Sequence, residues 1–171
     1  MVEKSYRVRP IQKEDIQAVQ TFLMHQLKTL FFQDNQGAIT DDVWGLEKLY
    51  LQPERNNLWV VFDQDGKVVG TGAICTYNDR IECMKGRYHL PEIAEIGRCY
   101  VDETIRRQVI GSEIMAAMVR FCQEKEYKKM YLHTHHFLPG GFNFWQKQGF
   151  EILIDDGHDG GYETIHMEKT L

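Results

Sequence analysis

The spacing of apolar residues changes several times along the chain, and each change marks an element. "SYRVRP" alternates as a short strand does, and Pro10 ends it. In "KEDIQAVQTFLMHQLKTL" the residues Ile16, Val19, Leu23, Leu27 and Leu30 recur at helical spacing behind Glu14 and Asp15, which predicts an amphipathic helix. "FFQDNQGAIT" is looser, and "DDVWGLEKLYL" reads as a shorter helix after Thr40, closed before Pro53. "NLWVVFDQDGKVVGTGAICTY" holds two β-rich runs around Asp65 and Gly66, a hairpin signature. "NDRIECMKGRYHLP" has no period and reads as an irregular excursion. "EIAEIGRCYV" is a strand interrupted by Gly97, where a bulge or close backbone approach is expected. Ile110, Ile114, Ala117, Met118 and Phe121 then share one helical face, and "KKMYLHT" is a strand. "GFNFWQKQ" is a short helix stopped by Gly149, and "FEILIDD" and "ETIHMEKTL" are closing strands around "GHDGG". The order predicts a mixed α/β layered architecture, with no internal repeat.

Composition narrows the class without naming a function. A chain of 171 residues, 43% hydrophobic and 26% charged, suits a single soluble domain over residues 1–171. "MVEKSYRVRP" has no apolar stretch behind its charges, and the apolar runs elsewhere are strand-sized. A cytoplasmic location without a membrane partner is therefore expected. The net charge of -5 argues against a nucleic-acid partner. Cys75, Cys83, Cys99 and Cys122 are scattered, with no C-x-x-C pair, as expected of reduced thiols.

Candidate chemistry begins at "RRQVIGSEIM", Arg106 to Met115. Arginines and a Gly ahead of a helix suit a bound phosphate, because helix N-termini present unpaired N–H groups and the positive end of the macrodipole. A basic loop leading into an ordinary helix has the same appearance.

With this stretch placed between a strand and a helix, the chain resembles the GNAT superfamily of N-acetyltransferases. The resemblance rests on "YRVRPIQKEDIQAV", "DGKVVGTGAI", "AEIGRCYVDETIRRQVIGSEIM", and "FWQKQGF" with a terminal "HMEKTL". It implies a GNAT-like α/β fold: a mostly antiparallel central sheet of about seven strands with about four helices. It also implies acetyl-CoA as cosubstrate, an amine acceptor, and direct attack in a ternary complex. The family's loop has Arg or Gln, two variable residues, Gly, one variable residue, then Gly or Ala. Here Arg106 and Gly111 fill its ends, while Val109 stands where the first Gly is expected and must present its amide from conventional backbone geometry.

The implied cofactor-binding set is Arg106, Arg107, Gln108, Val109, Ile110, Gly111 and Ser112 for the pyrophosphate. The backbone of Cys99, Tyr100 and Val101 would serve the thioester and pantetheine, with Asn143 and Trp145 from the short helix. Free N–H groups on a splayed strand would form an oxyanion hole. The family often carries an acidic residue in this strand, which makes Glu95 the candidate general base. Beside Ala94, Ile96 and Gly97, partial burial would raise its pKa; the alternative is a carboxylate that hydrogen-bonds within the sheet or binds the acceptor ammonium. Phe144 and Trp145 leave no tyrosine in the short helix, so Tyr131 and His133 are the candidate proton donors beside solvent.

In "HTHHFLPGG", His133 and His135 share a strand face, with His136, His158 and His166 elsewhere. No carboxylate or Cys spacing accompanies them, and no metal is assigned. Asp34, Asp41, Asp42, Asp155 and Asp156 are candidates to attract a cationic amine, and Phe31, Phe32, Trp44 and Tyr50 to line an apolar pocket. Two other function classes stay open: a non-catalytic acyl-CoA binding module and a His-rich metal-binding protein. A homodimer also stays open.

Overall fold

The structure is a computed structural model that describes residues 6–31, 40–105, 109–157 and 162–171. Strands β1 (Arg7–Pro10), β2 (Asn57–Phe62), β3 (Val68–Thr76), β4 (Ile93–Val101), β5 (Lys129–His135), β6 (Glu151–Asp156) and β7 (Thr164–Thr170) form a seven-stranded sheet ordered β1-β2-β3-β4-β5-β7-β6. The helices are α1 (Ile16–Phe31), α2 (Asp41–Trp44), α3 (Ile110–Glu124) and α4 (Gly141–Lys147). The β1–β2, β2–β3, β5–β7 and β6–β7 pairs are antiparallel. The β4–β5 pair is parallel, with register Ile93↔Lys129 to Glu95↔Tyr131, while β4 itself continues to Val101. The chain divides into two compact units, Met1–Cys75 with Gly97–Met118, and Thr76–Ile96 with Val119–Leu171.

In the first unit the apolar stripe of α1 buries Val19, Phe22, Leu23 and Leu27 against Leu58, Val60 and Phe62 of β2, Val68 and Ala73 of β3, and Val43, Leu46 and Tyr50. The hairpin turn follows from two residues. Asp63 Oδ1 accepts the N–H groups of Asp65 and Lys67, each at 2.9 Å, and Gly66 takes the left-handed φ of 77° that its missing Cβ permits. The helix expected over "DDVWGLEKLYL" is broken: α2 ends at Trp44, Gly45 caps it, and a π-helical turn spans Glu47–Leu51. Gly45 is the physical reason, since glycine costs about 1 kcal/mol inside a helix.

Gly72 on β3 lets α3 approach closely. A Cβ there would lie 2.5 Å from Ile114 Cγ2 and 3.2 Å from Met118 Sδ.

In the second unit Tyr77, Met84, Ile93 and Tyr131 form a buried cluster, with Ile81, Tyr88, Leu90, Leu153 and Ile154 packed on it. Residues 78–91, expected as irregular, carry the 3-10 turn Glu82–Met84, and a second, Leu90–Glu92, begins inside the stretch and runs one residue past it. Among the described residues no helix is long and apolar enough to cross a membrane.

Candidate functional site

In the first unit the far half of β4 leads toward α3. The sequence predicts a bulge or close backbone approach at Gly97; the unusual backbone found is one residue on, where Arg98 has a left-handed φ of 49°. A non-glycine residue holds the left-handed region only when its surroundings over-determine it. Here the Arg98 guanidinium grips Asp42, Nε to Oδ2 at 2.7 Å and Nη2 to Oδ1 at 2.6 Å, and its carbonyl accepts the Thr71 hydroxyl at 2.7 Å. A Cβ on Gly97 would meet nothing within 4 Å, so no close approach explains that glycine.

The next residues follow the left-handed Arg98. Burial pushes the Cys99 thiol up to about 12, so the side chain is a neutral thiol at physiological pH. Burial also raises the Tyr100 phenol, against the lowering influence of Arg98. Asp102 closes the strand: its N–H donates to Val69 O at 2.9 Å, and its Oδ1 accepts the N–H and hydroxyl of Thr104 at 2.9 and 2.7 Å. The bond to the Thr104 side chain holds the Asp102 carboxyl below its ordinary value.

The expected phosphate residues Arg106, Arg107 and Gln108 lie outside the described residues. Val109, Ile110, Gly111 and Ser112 are described. Val109 is 70% exposed, and its carbonyl accepts the Glu113 N–H at 3.0 Å as α3 begins. Its backbone is not left-handed, so its amide is presented from ordinary geometry. Ile110 is buried and anchors that end of the helix.

In the second unit Glu95 is 4% exposed, and an arginine meets its charge. Arg80 Nη1 donates to Oε1 at 2.6 Å and Nη2 to Oε2 at 2.7 Å. His133 Nδ1 stands 4.0 Å from Oε2 and has 35% of its side-chain surface exposed. Tyr131 is fully buried, and its hydroxyl is 2.7 Å from His166 Nδ1. Burial, then the nearby Glu95 charge, pushes the Tyr131 phenol well above its ordinary value. Tyr131, His133 and His135 share one face of β5, with His133 opposite His166 across the antiparallel β7.

Other histidines have local tasks. His135 Nδ1–H donates to the Tyr162 carbonyl at 2.7 Å, and His136 Nε2 pairs with Asp155 at 2.9 Å. Among the described residues no group of three His, Cys, Asp or Glu side chains could hold a metal ion. His158 lies outside the described residues.

Trp145 is 7% exposed and packs edge-on against Phe144 and Phe150, while Asn143 is exposed on the same helix. Of the carboxylates considered for an amine, Asp42 is taken by Arg98 and Asp155 by His136, whereas Asp41 and Asp156 are exposed; Asp34 lies outside the described residues. Tyr50 is core, Phe31 packs on the core, and Trp44 is 60% exposed; Phe32 lies outside the described residues.

Sequence reasoning missed Arg80 and Cys83, which sit in the stretch without a period. It also gave His166 no specific task. Only the alternation of β7, which puts His166 and Glu168 on one face, hinted at that role.

The model of the acetyltransferase (GNAT) family matches residues 21–150. The chain belongs to that family and is an acetyl-CoA-dependent acetyltransferase. No curated protein matches it. Solved structures share its fold. An acetyltransferase of the GNAT family from Staphylococcus aureus Mu50 is 15% identical at a TM-score of 0.78, covering 98% of this chain and 99% of that one. The PaiA N-acetyltransferase from Thermoplasma acidophilum, in complex with coenzyme A, is 18% identical at 0.70, with 98% and 99% covered. A GNAT phosphinothricin acetyltransferase from Sinorhizobium meliloti, in complex with AcCoA, is 14% identical at 0.75, with 97% and 88% covered.

Proposed function

We propose that the chain moves the acetyl group of acetyl-CoA onto a primary amine of a small molecule or peptide, by direct attack of the amine in a ternary complex. The observation that carries this reading is the make-up of β4. One strand bears the buried carboxylate of Glu95 and, past the left-handed Arg98, the backbone of Cys99, Tyr100 and Val101.

Backbone N–H groups of Cys99 to Val101 receive the thioester oxygen and the pantetheine amides, and stabilise the oxyanion as it develops. The neutral Cys99 thiol takes no part through its side chain. The amides of Val109 to Ser112, at the N-terminal end of α3, hold the pyrophosphate with Arg106, Arg107 and Gln108. Val109 is compatible with this role because its side chain points to solvent and its amide needs no special backbone. Asn143 supplies a polar contact from α4. The coenzyme A and AcCoA complexes of the structural relatives support the same cosubstrate here.

An amine reaches the enzyme as its ammonium form and must lose a proton before it attacks. Glu95 accepts that proton, and the half-exposed His133 beside it passes the charge to solvent. Arg80 orients the carboxylate. Tyr131 keeps its own proton and fixes the His166 ring next to His133. The departing thiolate is protonated by solvent or by the His133 imidazolium.

The test is a panel of primary amines supplied with acetyl-CoA, followed by thiol release and by mass spectrometry of the acceptor. Thiol released in step with an N-acetylated product supports the reading. Acetyl-CoA binding without transfer to any amine overturns it in favour of a binding module.

A further inference from the structure

Acetyl transfer to an amine makes no use of Cys83, yet this thiol has the surroundings of a nucleophile. Cys83 is exposed in the 3-10 turn Glu82–Met84, and its Sγ lies 3.4 Å from His166 Nε2. The other nitrogen of that ring, Nδ1, lies 2.7 Å from the Tyr131 hydroxyl. His166 is 4% exposed and Tyr131 is fully buried, with their rings stacked at 6.1 Å and 10°. Thiol, imidazole and phenol thus come in sequence: a solvent-facing sulfur, a buried base, and a fixed group that sets the ring's orientation. All three belong to the second compact unit.

The other cysteines lack this arrangement. Cys122 is buried, Cys75 and Cys99 are half-buried, and burial makes the Cys99 thiol a poor nucleophile, at about 12. All four are unbridged, and the group beside the Cys83 sulfur is an imidazole rather than a second thiol, so its oxidation would join it to an external thiol.

We propose that Cys83 is a reactive thiol that takes up low-molecular-weight disulfides by thiol–disulfide exchange, with His166 as its proton acceptor. The Cys83 S–H proton passes to His166 Nε2 in the tautomer whose Nδ1–H donates to the Tyr131 oxygen. The resulting imidazolium donates through both nitrogens, to the thiolate and to the phenol. The thiolate attacks one sulfur of the incoming disulfide, a new S–S bond forms at Cys83, and the old S–S bond breaks. The departing thiolate carries off the electron pair and takes a proton from His166 or solvent. The incoming disulfide is the oxidant, and it is reduced to one thiol as Cys83 becomes a mixed disulfide.

The test uses the intact native chain with 5,5′-dithiobis(2-nitrobenzoate), whose exchange releases a coloured thiolate. One thiol is expected to react ahead of the others, to add a single adduct by intact mass, and to disappear in Cys83→Ser. His166→Asn and His166→Gln, in protein shown to be folded, are expected to slow that phase about tenfold, because the proton acceptor is lost. A second measurement does not depend on those variants folding. Native Cys83 should react faster than the same thiol in the urea-unfolded chain. A fast phase that survives in Cys83→Ser, folded His166 variants that react like wild type, or a native rate no higher than the unfolded one overturns the proposal.

Discussion

Arg80 holds both carboxylate oxygens of Glu95, at 2.6 and 2.7 Å, although the two residues come from an aperiodic excursion and a sheet strand. The pair is lopsided in its exposure, with 48% of the Arg80 side chain exposed and 5% of that of Glu95. Removing the arginine therefore leaves a buried charge without its partner, the costly half of the pair to lose. Solvent already reaches the guanidinium, which moderates the loss. Arg80→Ala should destabilise the protein by about 1–3 kcal/mol, and Glu95→Gln in the same background should recover part of that. A double-mutant cycle in urea checks the coupling. Strict additivity would mean that the two side chains act independently.

Asp42 pairs with the left-handed Arg98, and both side chains are largely buried, at 24% and 16% exposed. Asp42→Asn keeps the shape and removes the charge that holds a strained residue in place. A loss of about 2 kcal/mol is expected, with faster hydrogen exchange at the amides after Arg98. Thermal melts and exchange mass spectrometry read the two effects. Unchanged exchange at Cys99 to Val101 would mean that the left-handed conformation of Arg98 does not depend on Asp42.

Gly72 and Gly97 look alike in sequence, since both interrupt strands. A Cβ at Gly72 would lie 2.5 Å from Ile114, whereas one at Gly97 would meet open space. Gly72→Ala should cost about 1–3 kcal/mol through overpacking, lowering the melting temperature by about 2–4 °C per kcal/mol. Gly97→Ala should stay within about 0.5 kcal/mol of wild type. Scanning calorimetry of the two variants decides, and equal melting temperatures would contradict the close packing of α3 on β3.

Asp15 accepts Arg9 Nη1 at 2.7 Å, Arg9 Nη2 at 3.0 Å and the Gln12 amide at 2.8 Å. The bond to Arg9 holds its carboxyl below the ordinary 3.8. A carboxyl whose folded pKa is depressed binds fewer protons when folded than when unfolded. Its stabilisation is therefore complete above the unfolded value and is lost as pH falls through the folded one. Acid titration of the unfolding free energy should show this component disappearing below about pH 4, and Asp15→Asn should remove it, at a cost of roughly 1–2 kcal/mol at neutral pH. A variant with the same acid limb as wild type would contradict it.

Much of the fold is legible because single residues dictate it locally. The helical spacing of Val19, Leu23 and Leu27 reappears as buried positions on α1, and that of Ile110, Ile114 and Met118 on α3. Asp63 and Gly66 make the hairpin turn through contacts within a few residues. The left-handed position in β4, at Arg98, is not legible in the sequence. Glycine freedom points to Gly97, while the ion pair that permits a left-handed arginine comes from Asp42, far away in sequence. Arg80 and Cys83 carry no periodic signal, because neither lies on a regular helix or strand. Their partners, Glu95 and His166, are set by tertiary folding and strand register, which local spacing does not encode.

The central claim, that Glu95 takes the proton from the attacking amine, is tested most directly by comparing kcat of wild type and Glu95→Gln at saturating acetyl-CoA and a confirmed amine acceptor. The affinity for acetyl-CoA is measured alongside. A fall in kcat of about a hundredfold with unchanged affinity is the expected result. A kcat within about twofold of wild type, less than general-base catalysis contributes, would mean that another group or solvent takes the proton.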